Sequence, residues 1–203
     1  MMTLLMVEQY VHLYERIPLS VAGVCMGLAL ILGHLAALLW PRQVAGLLAE
    51  ACEKPQWAQA LLTLDFVWIF MLLWPHPTNP LCMDLFDFNS VRGALMIACP
   101  VVWYTLCYHS KKNLMLRALG LFLLLMGIVP LSAAFLKEPL TRLLIPIWWY
   151  PVLIVAILLV PMPYLLRDGL AWLGARLRLW RWLALAGLLY GVALLVCALL
   201  FWT

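Results

Sequence analysis

Apolar residues fill long unbroken blocks of this chain, and the few polar residues fall mostly between the blocks. A helix that spans a bilayer uses about 20 residues. Blocks of about that length predict six spans, at residues 17–40, 58–74, 91–108, 113–136, 143–166 and 182–203. Shorter stretches between them carry amphipathic patterns. Leu4, Val7, Val11 and Tyr14 recur at helical spacing, with Glu8, His12 and Glu15 on another face. Residues 1–16 therefore predict a short helix lying on the membrane or on the bundle. Val44, Leu47, Leu48 and Cys52 make a second such stripe within residues 42–57. Leu170, Leu173, Leu177 and Trp180 share one face of the Arg- and Trp-rich segment 167–181. That segment predicts an interfacial helix or an extension of the last span.

Prolines punctuate the pattern. Pro41 ends the first span or opens the next helix at its first position. Residues 75–90 hold Pro75, Pro77 and Pro80 and read as a loop, and residues 137–142 read as a tight turn around Glu138–Pro139. Pro100 predicts a kink in the third span, and Pro130 falls near the far end of the fourth. The fifth span is interrupted by Pro146, Pro151, Pro161 and Pro163. Prolines free backbone carbonyls that neighbours or water must satisfy, so a broken helix here can line a cavity; a kinked packing helix is the plainer reading. The expected fold class is an all-α membrane protein of about six transmembrane helices plus short amphipathic interfacial helices. Residues 1–203 form one polytopic transmembrane domain in this reading. The first apolar run lacks a basic leader and a small-residue cleavage site, so it reads as a retained span and not as a signal peptide.

Composition sharpens the class. Of 203 residues, 67% are apolar and 11% are charged, with mean hydropathy +1.03. Soluble domains carry about 25% charged residues. Disorder, a secreted disulfide scaffold and most soluble enzymes are excluded. Six cysteines are scattered without a CxxC pair and read as small apolar packing residues. The net charge of +4 reflects loop charge. Nine Lys and Arg fall in the first, third and fifth loops, against four in the N-terminal segment and the other two loops. The positive-inside rule places the richer set in the cytoplasm and both termini on the other side, with a bacterial inner membrane as the expected location. The basic clusters are short and border spans, so nucleic acid is not an expected partner. The bilayer is, and so are other membrane subunits or further copies of the chain. Gly23-Val-Cys-Met-Gly27 and Gly187-Leu-Leu-Tyr-Gly191 are small-xxx-small faces that let helices approach closely, chiefly as internal packing. No internal repeat supports an inverted-repeat transporter.

Soluble catalytic and nucleotide-binding motifs are missing, and the chain does not declare itself an enzyme. The candidate chemistry is intramembrane. Asp65 lies inside an apolar run, where a carboxylate costs roughly 2.5–3.5 kcal/mol. From the expected span ends, Asp65 is about 10 Å and His34 about 9 Å from the basic side. Arg117 enters the fourth span from that side, and Tyr104 passes the same depth on the third. Asp65, His34, Arg117 and Tyr104 are thus the expected polar cluster, serving either as a proton relay or substrate site or as a buried pair that sets helix register. No cofactor and no metal is expected. A haem held by His34 and His109 would have to absorb a depth offset of about 9 Å. His12 and His76, with Asp84 and Asp87 nearby in sequence, read as solvated loop residues before they read as a metal site. Terminal tryptophans such as Trp40, Trp74 and Trp180 read as an aromatic belt, and the deeper Trp68 and Trp103 as packing residues.

Three function classes fit these features. The first is a non-catalytic integral membrane subunit or anchor of a larger complex. The second is a small proton-linked carrier or channel using Asp65 and His34. The third is an intramembrane enzyme acting on a lipid-linked or quinone substrate.

Overall fold

Prolines mark the starts of several helices among the described residues. The structure, a computed structural model, describes residues 12–75, 79–109 and 113–202. Eight α-helices occur among them: α1 (Leu19–Leu39), α2 (Pro41–Glu53), α3 (Pro55–Leu73), α4 (Arg92–His109), α5 (Leu114–Ala134), α6 (Leu144–Leu159), α7 (Tyr164–Gly174) and α8 (Leu177–Leu200). No strand occurs among the described residues. Six helical segments are long and apolar enough to cross a bilayer: α1, α3, α5 and α8, α4 with the 3₁₀ turn before it, and α6 with the 3₁₀ turn before it. The chain is an all-α polytopic membrane protein with two short helices between its spans.

Pro41 and Pro55 each occupy the first turn of a helix, where the missing N–H costs nothing. The second span therefore starts at Pro55, earlier than hydrophobicity alone predicts. The fifth span ends at Leu159, earlier than expected, because Pro161 and Pro163 cannot continue the ladder. The helix restarts at Tyr164 as α7. The segment 167–181 thus divides: its first part is a separate short helix, and residues from Leu177 extend the last span. Helices α4, α5 and α6 run through Pro100, Pro130 and Pro151. Of the amphipathic segment expected at residues 1–16, residues 1–11 lie outside the described residues, and Leu13–Arg16 form a 3₁₀ turn.

Packing between apolar helices in lipid depends on close contact and hydrogen bonds, because lipid tails are as apolar as leucine. Helices α1 and α8 realise this fully. They run antiparallel, with Gly23 against Ala198 and Trp202, Gly27 against Gly191, and the Trp180 indole donating to the Ala37 carbonyl at 2.9 Å. A β-carbon on Gly27 would stand 3.1 Å from the Gly191 carbonyl oxygen, and one on Gly191 would stand 3.1 Å from the Ile31 nitrogen. A side chain at either position would press on backbone atoms of the facing helix. Both small-xxx-small faces are used inside the chain, against each other.

Helix α5 is the hub. Gly120 and Gly127 receive α6, and Ala133 and Ala134 meet α1, α6 and α8 around Ile145 and Leu194. On its other side α5 runs parallel to α3: Ala58 and Leu62 pack with Leu114 and Ala118, and Leu72 packs with Leu125. Helix α4 lies outside α3, tied to it by Trp103 Nε1 donating to Thr63 Oγ1 at 3.2 Å.

The two ends of the bundle differ. At the end opposite the Arg-rich loops, polar side chains close a cap. Lys137 Nζ donates to the Glu15 and Ile17 carbonyls, Arg92 donates to Met83 O, Asn89 Oδ1 and Cys82 Sγ, and Trp68 Nε1 donates to Tyr14 Oη at 2.7 Å. At the basic end, α2 and α7 touch each other beside the start of α5.

Candidate functional site

Helical spacing puts Asp65 on the buried stripe of α3. Ala58, Leu62, Asp65 and Leu72 recur three to seven residues apart and face α5. Asp65 is 0% exposed. Neither carboxyl oxygen has a hydrogen-bond partner among the described residues, Arg117 included. Buried polar groups in proteins are nearly always paired. The missing partner is therefore the most informative property of this site. It removes the reading of Asp65 as half of a salt bridge between described residues. From Pro55, Asp65 is about 15 Å along α3, near its middle.

His34 sits elsewhere. Its Nδ1 donates to the Leu30 carbonyl at 2.8 Å, one turn back on α1. Its ring packs edge-on to Trp148 of α6, 5.8 Å between centroids. Its Nε2 faces Gly187 of α8, where any β-carbon would overlap the ring. Gly187 is thus the space that admits the imidazole. His34 lies about 8 Å from the end of α1. Once α3 starts at Pro55, the depths of His34 and Asp65 no longer coincide.

Arg117 stands in the first turn of α5, half-buried, with its backbone N–H donating to the Asn113 carbonyl at 3.3 Å. Tyr104 faces away from the bundle, 61% exposed and stacked on Tyr108 at 6.0 Å. The structure therefore distributes the four residues over separate surfaces: Asp65 on the α3–α5 face, His34 between α1, α8 and α6, Arg117 at the start of α5, and Tyr104 on the outer face of α4.

The histidine and acid combinations resolve similarly. Both ring nitrogens of His12 are engaged, Nδ1 accepting from the Tyr14 N–H and Nε2 donating to the Leu81 carbonyl at 3.0 Å. His76 and the side chain of His109 lie outside the described residues. Among the described residues no group of three His, Cys, Asp or Glu side chains is placed to hold a metal. The described cysteines Cys25, Cys82, Cys99, Cys107 and Cys197 are free thiols.

Two features escaped the sequence reading. One is an aromatic chain inside the membrane region: His34 touches Trp148, Trp148 lies 5.3 Å from Tyr190, and Tyr190 Oη donates to the Leu144 carbonyl at 2.5 Å. Its members come from three helices far apart in sequence. The other is a cavity of about 500 Å³ between α2, α7 and the starts of α5 and α8, lined by Arg42, Arg167, Asn113 and apolar side chains. The Arg-rich segment was legible as interfacial, but its juxtaposition with α2 was not. Set against known protein families, curated proteins and solved structures, this chain has no match that would carry a function to it.

Proposed function

We propose that this chain is a small proton-linked membrane carrier in which Asp65 holds and releases the coupling proton. The observation that supports this reading is the fully enclosed carboxyl of Asp65 with no hydrogen-bond partner among the described residues. A carboxyl kept only for register would have a partner, because an unpartnered one destabilises the interface it occupies. A carboxyl that must exchange a proton has a reason to stay without a fixed donor. Ionisable residues inside membranes mark ion pathways and proton relays. Helix α4 packs chiefly on α3, the helix that carries Asp65, and little of α4 is buried inside the bundle.

The test needs no knowledge of the substrate. A hydrophobic carbodiimide reacts with protonated carboxyls in apolar surroundings. In reconstituted vesicles, Asp65 is expected to be labelled at a rate that follows the pH of the bathing solution, and Asp65→Asn is expected to abolish the product. Absent or pH-independent labelling at Asp65 means that its proton does not exchange with water, and the carrier reading falls.

The second reading, a subunit of a larger membrane assembly, is favoured by the outward face of α4, where Ile97, Val101, Tyr104 and Tyr108 are exposed. Native mass spectrometry of the chain extracted in mild detergent separates the two: co-purifying subunits support assembly, and a lone chain or homo-oligomer supports the carrier. By the positive-inside rule, we place the Arg-rich end in the cytoplasm of a bacterial inner membrane. Gly46 on α2 and Glu138 near the opposite end are both exposed. In a cysteine-free background, a cysteine at 46 should then be labelled from the cytoplasm and one at 138 from outside. The native Cys82 cannot serve, because it is buried and accepts from Arg92.

A further inference from the structure

We propose that the cavity at the basic end binds the phosphate-bearing headgroup of an anionic lipid, with the first part of its chain against the apolar wall. The inference stands on Arg42 and Arg167, not on Asp65, so it and the carrier reading fail separately.

Three properties of the cavity point to this ligand. First, size: about 500 Å³ falls in the range of small-molecule sites and suits a headgroup, while a whole two-chain lipid would exceed it. Second, charge: guanidinium groups from two different helices line it, Arg42 from the first turn of α2 and Arg167 from the first turn of α7. Arg42 has no ion pair or hydrogen bond from its side chain among the described residues. Arg167 Nε holds Asp168 at 3.1 Å in an exposed pair. A phosphate would take over that guanidinium, with Asp168 turning to solvent, since planar guanidinium donors match phosphate oxygens well. Third, amphipathicity: the rest of the lining, including Leu116, Leu170 and Trp180, is mainly apolar. A free anion has no use for such a wall, and an uncharged lipid has no use for two arginines.

The flanking helices place the cavity where lipids are. Leu47 and Leu48 of α2 and Trp172 of α7 are exposed apolar groups on short amphipathic helices, and Arg176 lies over the Trp172 ring at 3.8 Å. Helices of this kind sit in the headgroup layer. The start of α5 adds a favourable field. Asn113 caps it in a left-handed conformation without a side-chain bond to the first turn, and the dipole there favours an anion.

The experiment uses the full chain in zwitterionic detergent and follows thermal unfolding as short-chain phosphatidylglycerol is added. Saturable stabilisation is expected with that probe, and none with phosphatidylcholine of equal chain length or with inorganic phosphate. Arg42→Gln and Arg167→Gln should each raise the half-saturating concentration roughly tenfold, the effect of losing one charged hydrogen bond. Arg178→Gln, outside this cavity, should leave it unchanged. Ala171→Trp fills the cavity without removing charge and should abolish saturation, which keeps the test decisive if an arginine variant does not fold. Equal response to phosphatidylcholine makes the site a plain apolar cleft. Saturation by inorganic phosphate makes it a free-anion site. An equal loss with Arg178→Gln makes the effect surface charge. Each of these three overturns the proposal.

Discussion

The α1–α8 and α3–α5 interfaces each join two spans along most of their length, and they carry His34, half-buried, and Asp65, fully buried. They treat these residues in opposite ways. In the first, His34 bonds to the Leu30 carbonyl of its own helix and its ring fills the space left by Gly187. In the second, Asp65 is sealed on an apolar stripe without a partner among the described residues. The difference follows from donor chemistry. A helix interior has spare capacity only at its carbonyls, which accept. An imidazole N–H donates, so histidine satisfies itself locally. A carboxylate only accepts, and its own helix has nothing to offer it. An aspartate in a span needs help from elsewhere or must carry a proton. Histidine at this site fills a packing space with its bond made, and aspartate keeps its hydrogen-bonding capacity unused among the described residues.

The harshest way to break the comparison is to force the first interface apart. Gly191→Val places a β-carbon 2.9 Å from Leu30 Cβ and 3.1 Å from the Ile31 nitrogen, and backbone cannot step aside. A loss of about 2–3 kcal/mol is expected in detergent unfolding, the scale of overpacking. Gly46→Ala, in open space on α2, should instead gain about 0.5–1 kcal/mol. Equal stability of the two variants would sink the close approach of α1 and α8.

The second interface should respond in the other direction. Asp65→Leu replaces an unsatisfied carboxyl by an apolar group of similar size, and a gain of about 1–3 kcal/mol is expected while proton exchange is lost. A clear destabilisation would reveal a partner for Asp65. His34→Phe keeps a ring against Trp148 and Gly187 but removes the bond to Leu30, a cost of about 0.5–1.5 kcal/mol. The double variant of His34 and Asp65 should be additive within about 0.5 kcal/mol, since the two occupy separate interfaces. A coupling energy well above that would restore a single cluster.

The smallest expected effect compares Asp65 with an aspartate that has donors. Asp84, in the loop before α4, accepts from the Asn89 amide at 2.6 Å and the Phe86 N–H at 3.0 Å. Asn89 first, then Phe86, and more weakly the charge of Arg92, hold its carboxyl below the ordinary range. A depressed carboxyl stabilises the fold above its ordinary pKa, and that contribution fades as pH falls through the carboxylate range. Asn89→Ala should move the Asp84 titration upward in an NMR pH series. An unmoved titration would show that the amide does not hold it.

Some of this was legible in the residues. Six blocks of apolar sequence became six spans, because a bilayer forces every spanning backbone to satisfy itself as a helix. The amphipathic stripe at Val44, Leu47 and Leu48 became α2, and Gly27 and Gly191 sit at the closest approach of two spans. Asp65 was visible as a carboxyl in an apolar run. What failed was placement. A three-residue shift of the second span to Pro55 changed the depth of Asp65, and the outward turn of Tyr104 took it off the expected cluster. Rotation about a helix axis and the choice of neighbour leave little trace in an apolar helix, since every face is hydrophobic.

The sequence by itself determined the number of spans and the crowding of arginine at one end, because hydrophobicity and charge act locally along the chain. Only the tertiary structure decided that α1 pairs with α8, that α5 becomes the hub, that Asp65 is left unpaired and that Arg42 meets Arg167 across one cavity. Those outcomes depend on how side chains and backbones from segments tens to more than a hundred residues apart meet in three dimensions.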